Sequence, residues 1–158
     1  MIMSPELHTQ ILSLIPQKPP FRFVDAITSV DDTHIEGHYT LKEDEYFYQG
    51  HFPESPVTPG VILTEIAAQI ALVAYGIFLL LDDEGAAEGE FVPLFSSSQI
   101  DFFKPVMPGE QVFVKGTKTY FRFRKLKCQV EMTNQKDEIV LKGSVSGMMV
   151  NQEKDVKR

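Results

Sequence analysis

Residues 60–81, GVILTEIAAQIALVAYGIFLLL, constrain the fold more than any other part of this chain. From Ile66 to the end of the segment only Gln69 and the hydroxyl of Tyr75 are polar, so a helix here is apolar on every side. Such a helix has two ways to be covered. A bilayer needs about 20 apolar residues, but Glu65 and Gln69 interrupt the run and its flanks are rich in proline and acid, without Lys or Arg. Strand-like segments stand on both sides in sequence. The better expectation is therefore a helix wrapped by a sheet of its own chain.

The rest of the pattern supplies that sheet. Ser4 and Pro5 read as the N-cap and first position of a short helix, with Leu7, Ile11, Leu14 and Ile15 at helical spacing before Pro16. Residues 21–30 and 34–41 read as two strands of a hairpin turned at Asp31 and Asp32. After the Gly50 turn, Thr58 as N-cap and Pro59 at the first position start the long helix. Residues 82–90, DDEGAAEGE, read as a solvated acidic loop. Four strands are expected at 91–103, 111–123, 125–134 and 138–150, the clearest with Leu126, Cys128, Val130 and Met132 alternating against polar residues. Short polar links between consecutive strands make an antiparallel sheet and an α+β domain. Residues 1–150 form one domain in this reading, and 151–158 form a frayed tail.

Charge narrows the partners. A net charge of -7 argues against nucleic acid, whose binders replace phosphate counterions with basic surface. Yet six of the 15 Lys and Arg lie between Lys115 and Lys127 with no acid among them. Arg122, Arg124, Lys125 and Lys127 form the densest part, which suits either docking of an acidic partner or a solvated strand edge kept from pairing. The N-terminal 20 residues hold no unbroken apolar run, so no secretory signal is read and the cytoplasm is expected. The lone Cys128 excludes an internal disulfide and reads as core packing. His8, His34 and His38 have no chemical context and read as surface positions.

Chemistry gathers in residues 50–69, GHFPESPVTPGVILTEIAAQ. His51 stands in a turn, and Glu65 follows fourteen positions later inside the apolar helix. Taken singly, His51 is a turn-stabilising residue and Glu65 an acid that complements the helix dipole. Together they form a base with a pKa near neutrality and a carboxyl that burial can keep protonated.

The string GHFP…PGV…E…AQ, with Pro20-Phe21-x-Phe23-Val24-Asp25 before it and Pro105-Val106-Met107-Pro108-Gly109-Glu110 after it, resembles the 3-hydroxyacyl-[acyl-carrier-protein] dehydratases. The likeness covers most of the chain. It implies a hot-dog fold, an antiparallel sheet wrapped around one long central helix. It also implies dehydration of a (3R)-3-hydroxyacyl thioester to a trans-2-enoyl thioester, with His51 as general base and Glu65 as acid. The N–H groups of Gly60 and Val61, in the first helical turn, are the candidates for holding the thioester oxygen. Glycine at 60 would let substrate approach the backbone. Gln69, one turn beyond Glu65 on the same face, would hold its carboxyl.

The resemblance further implies a homodimer in which His51 of one chain faces Glu65 of the other. The substrate's carrier would be acyl carrier protein, docked on the basic patch. The reaction needs no metal or other cofactor, and no site for one is recognisable. Gln17 stands where the family usually has histidine, Glu54 where glycine is usual, and Asp101 where many members have arginine. These departures set the chain apart from the family's housekeeping pattern and leave both a housekeeping and a specialised pathway open. Glutamate rather than aspartate at 65 implies dehydration without double-bond isomerisation. Two other readings remain open, a hot-dog thioesterase and a non-catalytic acyl-binding subunit.

Overall fold

A computed structural model of the protein describes residues 5–82 and 91–151. Helix α1 (Pro5–Leu14) precedes strands β1 (Ala26–Val30) and β2 (His34–Thr40), and a 3-10 turn (Tyr46–Gln49) leads toward the central helix. That helix has three parts in unbroken succession: α2 (Gly60–Ala68), a π-helical segment (Gln69–Ala74) and α3 (Tyr75–Asp82). Strands β3 (Phe91–Phe102), β4 (Gln111–Arg122), β5 (Lys125–Thr133) and β6 (Ile139–Asn151) complete a six-stranded sheet in the order β1-β2-β4-β5-β6-β3. Every neighbouring pair is antiparallel.

The sheet meets the demand of the apolar helix. The helix is long and apolar enough to cross a bilayer, yet 83% of its most apolar stretch is buried inside the protein. Ile66, Ala67, Ile70, Ala71, Ala74 and Tyr75 are wholly buried among strand residues such as Ile35, Val112, Cys128, Met132 and Leu141. Small strand residues let the helix come close. A Cβ on Gly37 of β2 would lie 3.4 Å from Ile70 Cδ1, one on Gly116 of β4 would lie 2.8 Å from Ala71 Cβ, and one on Gly147 of β6 would lie 3.3 Å from Leu72 Cδ1. Three successive helical residues thus rest over glycines of three different strands. Cys128 belongs to the same layer, its thiol donating to Ala71 O at 3.3 Å. Burial pushes that thiol up to about 12, as inert packing requires.

Several sequence expectations need correction. Residues 21–25 are not part of the first strand, which begins at Ala26; Phe23 N donates instead to the side chain of Gln69. Thr58 does not cap the central helix. Pro59 holds the N-cap position, and the Thr58 hydroxyl is bonded to Tyr48 Oη at 2.6 Å. Leu14 is half exposed, although Ile11 and Ile15 are wholly buried. The π-helical segment carries no sequence signature and was not foreseen. The basic stretch does not guard a sheet edge, because β4 and β5 are interior strands. His34 is half-buried and engaged, with Nδ1 3.0 Å from Asp31 Oδ1, and His38 Nδ1 lies 3.2 Å from the amide of Gln111. The proposed N-cap Ser4, the acidic residues 83–90 and the tail at 152–158 lie outside the described residues.

The contact between Gly116 and Ala71 gives a direct test. Gly116→Val places branched carbons where 2.8 Å is available to the first of them, and the expected loss of stability is about 3 kcal/mol by urea unfolding. A change under about 0.5 kcal/mol would show that the helix does not depend on this close approach.

Candidate active site

His51 is fixed by the backbone around it. Its N–H donates to Phe47 O at 3.1 Å, which joins the loop to the 3-10 turn, and Val57 N donates to His51 O at 3.1 Å. The ring then closes the same loop, since Nδ1 lies 3.0 Å from Val57 O. A carbonyl only accepts, so Nδ1 carries the hydrogen and Nε2 is the free, basic nitrogen of the neutral ring. The ring stacks on Phe52 at 4.2 Å between centroids. Further along, Thr58 N donates to Val106 O at 2.8 Å and anchors the loop to the turn at Pro105-Val106.

Glu65 lies in the second turn of the central helix, half-buried. Its Oε2 accepts a hydrogen bond of 2.8 Å from Gln69 Nε2. The amide of Gln69 is wholly buried and has no freedom to flip: Oε1 accepts from Phe23 N at 2.7 Å, and Nε2 also donates to Phe21 O at 2.9 Å. One side chain therefore ties residues 21–23 to the helix and orients the carboxyl of Glu65. Burial raises the pKa of Glu65 above the ordinary carboxylate range, while the bond from Gln69 opposes that rise by favouring the charged form.

At the start of α2, Ile62 N and Leu63 N both donate to Pro59 O. The N–H groups of Gly60 and Val61 belong to the first turn, where a helix offers no acceptor of its own, and the positive end of the helix dipole lies there. A Cβ on Gly60 would lie 3.1 Å from the ring of Phe102, so glycine at 60 makes room for that ring. The side chain of Val61 is 77% exposed.

A cavity of about 200 Å³ opens between the helix and the β3–β6 side of the sheet. Glu65 faces it together with Gln17, and its other walls are apolar, among them Leu72, Phe95, Leu126 and Met149. The structure thus brings Glu65 and Gln69 together beside the cavity, with Gly60 and Val61 at the start of the same helix. His51 makes no hydrogen bond or ion pair with Glu65 inside one chain; each is held by its own neighbours. Arg122, Arg124 and Lys125 are exposed around the β4–β5 turn, whose two residues Phe123 and Arg124 have φ of 50° and 60°. Lys125 and Lys127 flank Leu126, a wall of the cavity. Sequence reasoning missed the place of Gln17 in that wall and the backbone groups of Phe21 and Phe23 that clamp Gln69. Among the described residues, no group of three or more His, Cys, Asp or Glu is arranged to hold a metal.

Comparison with known proteins adds the family. Residues 15–144 match the model of the FabA-like domain. A 3-hydroxyacyl-[acyl-carrier-protein] dehydratase FabZ of Acinetobacter baumannii is 33% identical over 105 residues, which is 66% of this chain and 70% of that protein. Among solved structures, the dehydratase heterocomplex ApeI:P from Xenorhabdus doucetiae superposes with a TM-score of 0.77 at 11% identity, over 92% of this chain and 94% of that one. A thioesterase from Haemophilus influenzae superposes with a TM-score of 0.58 at 15% identity, over 84% and 82% of the two chains. Dehydratase and thioesterase neighbours share one architecture, the hot-dog fold.

Two outcomes follow from the clamp. Gln69→Leu leaves Phe23 N–H and Phe21 C=O without their partner, and the expected loss is about 3 kcal/mol in chemical unfolding; an unchanged midpoint would contradict the clamp. For Glu65, the folded pKa is raised, so its contribution is fully present below the unfolded pKa and is lost as pH rises through the folded one. Glu65→Gln does not ionise, so its stability relative to the parent should increase from acid to neutral pH. A difference that stays constant or shrinks would contradict the raised pKa.

Proposed function

The chain belongs to the FabA-like family, and from that membership we propose that it dehydrates a (3R)-3-hydroxyacyl thioester to the trans-2-enoyl thioester. One observation carries the proposal: Glu65, its pKa raised by burial and its carboxyl oriented by Gln69, faces an apolar cavity. In this reading His51 Nε2 removes the C2 proton, for which its tautomer leaves it free. Glu65 protonates the 3-hydroxyl, which leaves as water. The first-turn N–H groups of Gly60 and Val61 take the charge that develops on the thioester oxygen. Five residues along a helix is about 7.5 Å, a fitting separation between the carbonyl and hydroxyl ends of such a substrate. Residues 1–150 serve as one catalytic domain.

The active unit in this proposal is a dimer, with His51 of one chain opposite Glu65 of its partner. Support comes from β3. Among the described residues it is an edge strand paired only with β6, and Leu94, Phe95, Phe102 and Phe103 in and after it are exposed, as is Val61. A second β3 laid against this edge would cover those residues and extend the sheet. The cavity of one chain is also smaller than the roughly 300–1,000 Å³ usual for ligand clefts, as expected of a half-site. The ApeI:P neighbour joins two different chains, so the mass of this chain purified alone decides whether two copies suffice. Acyl carrier protein delivers the substrate in this reading, its acidic surface meeting Arg122, Arg124, Lys125 and Lys127 beside the cavity wall. The unpaired, buried Cys128 suits a reducing compartment, the cytoplasm.

The thioesterase reading has the shared architecture in its favour, but it leaves the closed His51 loop without a task. A single assay separates the two: a 3-hydroxyacyl thioester is offered and both enoyl absorbance and free thiol are followed. Enoyl without thiol supports the dehydratase, thiol without enoyl supports the thioesterase, and neither product means an acyl-binding subunit. His51→Ala and Glu65→Gln should each lower enoyl formation by at least 100-fold with the fold intact, and full turnover in either variant would remove its residue from the mechanism. Ser97→Lys with Ser98→Lys, at exposed positions of β3, sets like charges across the seam and should give an inactive monomer. An active monomer would refute the shared site.

A further inference from the structure

Gln17 follows α1 and lines the same cavity as Glu65. Its Oε1 is shielded from solvent and has no hydrogen-bond partner within the chain. The remaining wall residues are Ala68, Leu72, Val73, proline, glycine and other apolar residues, so among the described residues two polar side chains face this space. Glu65 Oε2 is taken by Gln69, which leaves Oε1 of Glu65 for the reaction. An amide oxygen only accepts, so what Gln17 lacks is a donor. A buried carbonyl left without one is unfavourable, and no described residue of this chain supplies it.

Of the two thioesters that the proposed reaction brings into the cavity, the enoyl product has no hydrogen to donate near Glu65. The 3-hydroxyacyl substrate has one. Resting on the dehydratase reading, we infer that Gln17 is a specificity residue whose Oε1 accepts the hydrogen of the substrate's 3-hydroxyl. A hydroxyl has one hydrogen and two lone pairs, so with its hydrogen on Gln17 a lone pair is turned to the proton of Glu65. The step then balances. The C2–H bond breaks with its proton passing to His51, its electron pair forms the C2–C3 double bond, and the C3–O bond breaks with its pair going to oxygen. That oxygen gains the Glu65 proton and leaves as water, while Glu65 becomes a carboxylate and His51 a cation.

The test compares Gln17→Met, close in shape but without the oxygen, and Gln17→Leu with the parent enzyme. Two constants are measured for each: kcat/KM for a 3-hydroxyacyl thioester, and the inhibition constant of the saturated acyl thioester of equal chain length. Loss of one hydrogen bond to the hydroxyl should lower kcat/KM about tenfold and leave the inhibition constant within twofold of the parent. Equal losses in both constants would make Gln17 a shape residue and overturn the inference, as would no change in either. A parent enzyme that forms no enoyl product would end the dehydratase reading and this inference together. An active parent with indifferent Gln17 variants would end only the second.

Discussion

A helix that is apolar on every face must be enclosed, and the rest of this structure follows from enclosing it. Six antiparallel strands curve around residues 60–82, and the glycines of β2, β4 and β6 under Ile70, Ala71 and Leu72 bring helix and sheet into contact. No bulky side chain would fit at those points, and no smaller residue exists to replace them. Close packing of this kind fixes the helix against sliding or rotation, so any group on its surface acquires a defined position.

Glu65 inherits that position. An ionisable side chain on a helix surrounded by protein is unfavourable when charged, and the raised pKa is the direct expression of that surrounding. The chain does not leave the carboxyl unattended. Gln69, fully buried one turn on, uses its oxygen and nitrogen on the backbone of Phe23 and Phe21 and its second N–H on Glu65. Orientation of the acid is therefore coupled to the docking of residues 21–23, a segment with no chemistry of its own. On the other side of the proposed reaction, the loop at 51–57 closes on itself and fixes the tautomer of His51. Fold and proposed chemistry share their constraints.

Much of this architecture was legible because burial writes a period into sequence. Alternation in β5 and the unbroken apolar run of the central helix marked their elements, and the long strands β3 to β6 begin and end within a residue or so of the expected bounds. What escaped was what backbone groups decide. Residues 21–25 look like a strand by composition, but their hydrogen bonds go to Gln69 as well as to β2, a long-range choice no local pattern records. Thr58 looks like a cap until Tyr48 claims its hydroxyl. The π-helical segment arises where the helix crosses the glycines of the sheet, again a tertiary circumstance. For the site, the residue types His51, Glu65 and Gln69 could be read, whereas the shared cavity of Glu65 and Gln17 needed the loop after α1 to be placed in space.

At the centre of the proposed chemistry is a carboxyl whose ionisation is opposed by burial and favoured by the bond from Gln69. Carbon-13 NMR titration of the Glu65 side chain in the folded protein, assigned by its loss in Glu65→Gln, measures this directly. The midpoint should lie above the ordinary glutamate value of about 4.3. A midpoint at or below that value would show that the bond from Gln69 outweighs burial and would contradict the role of Glu65 as the acid.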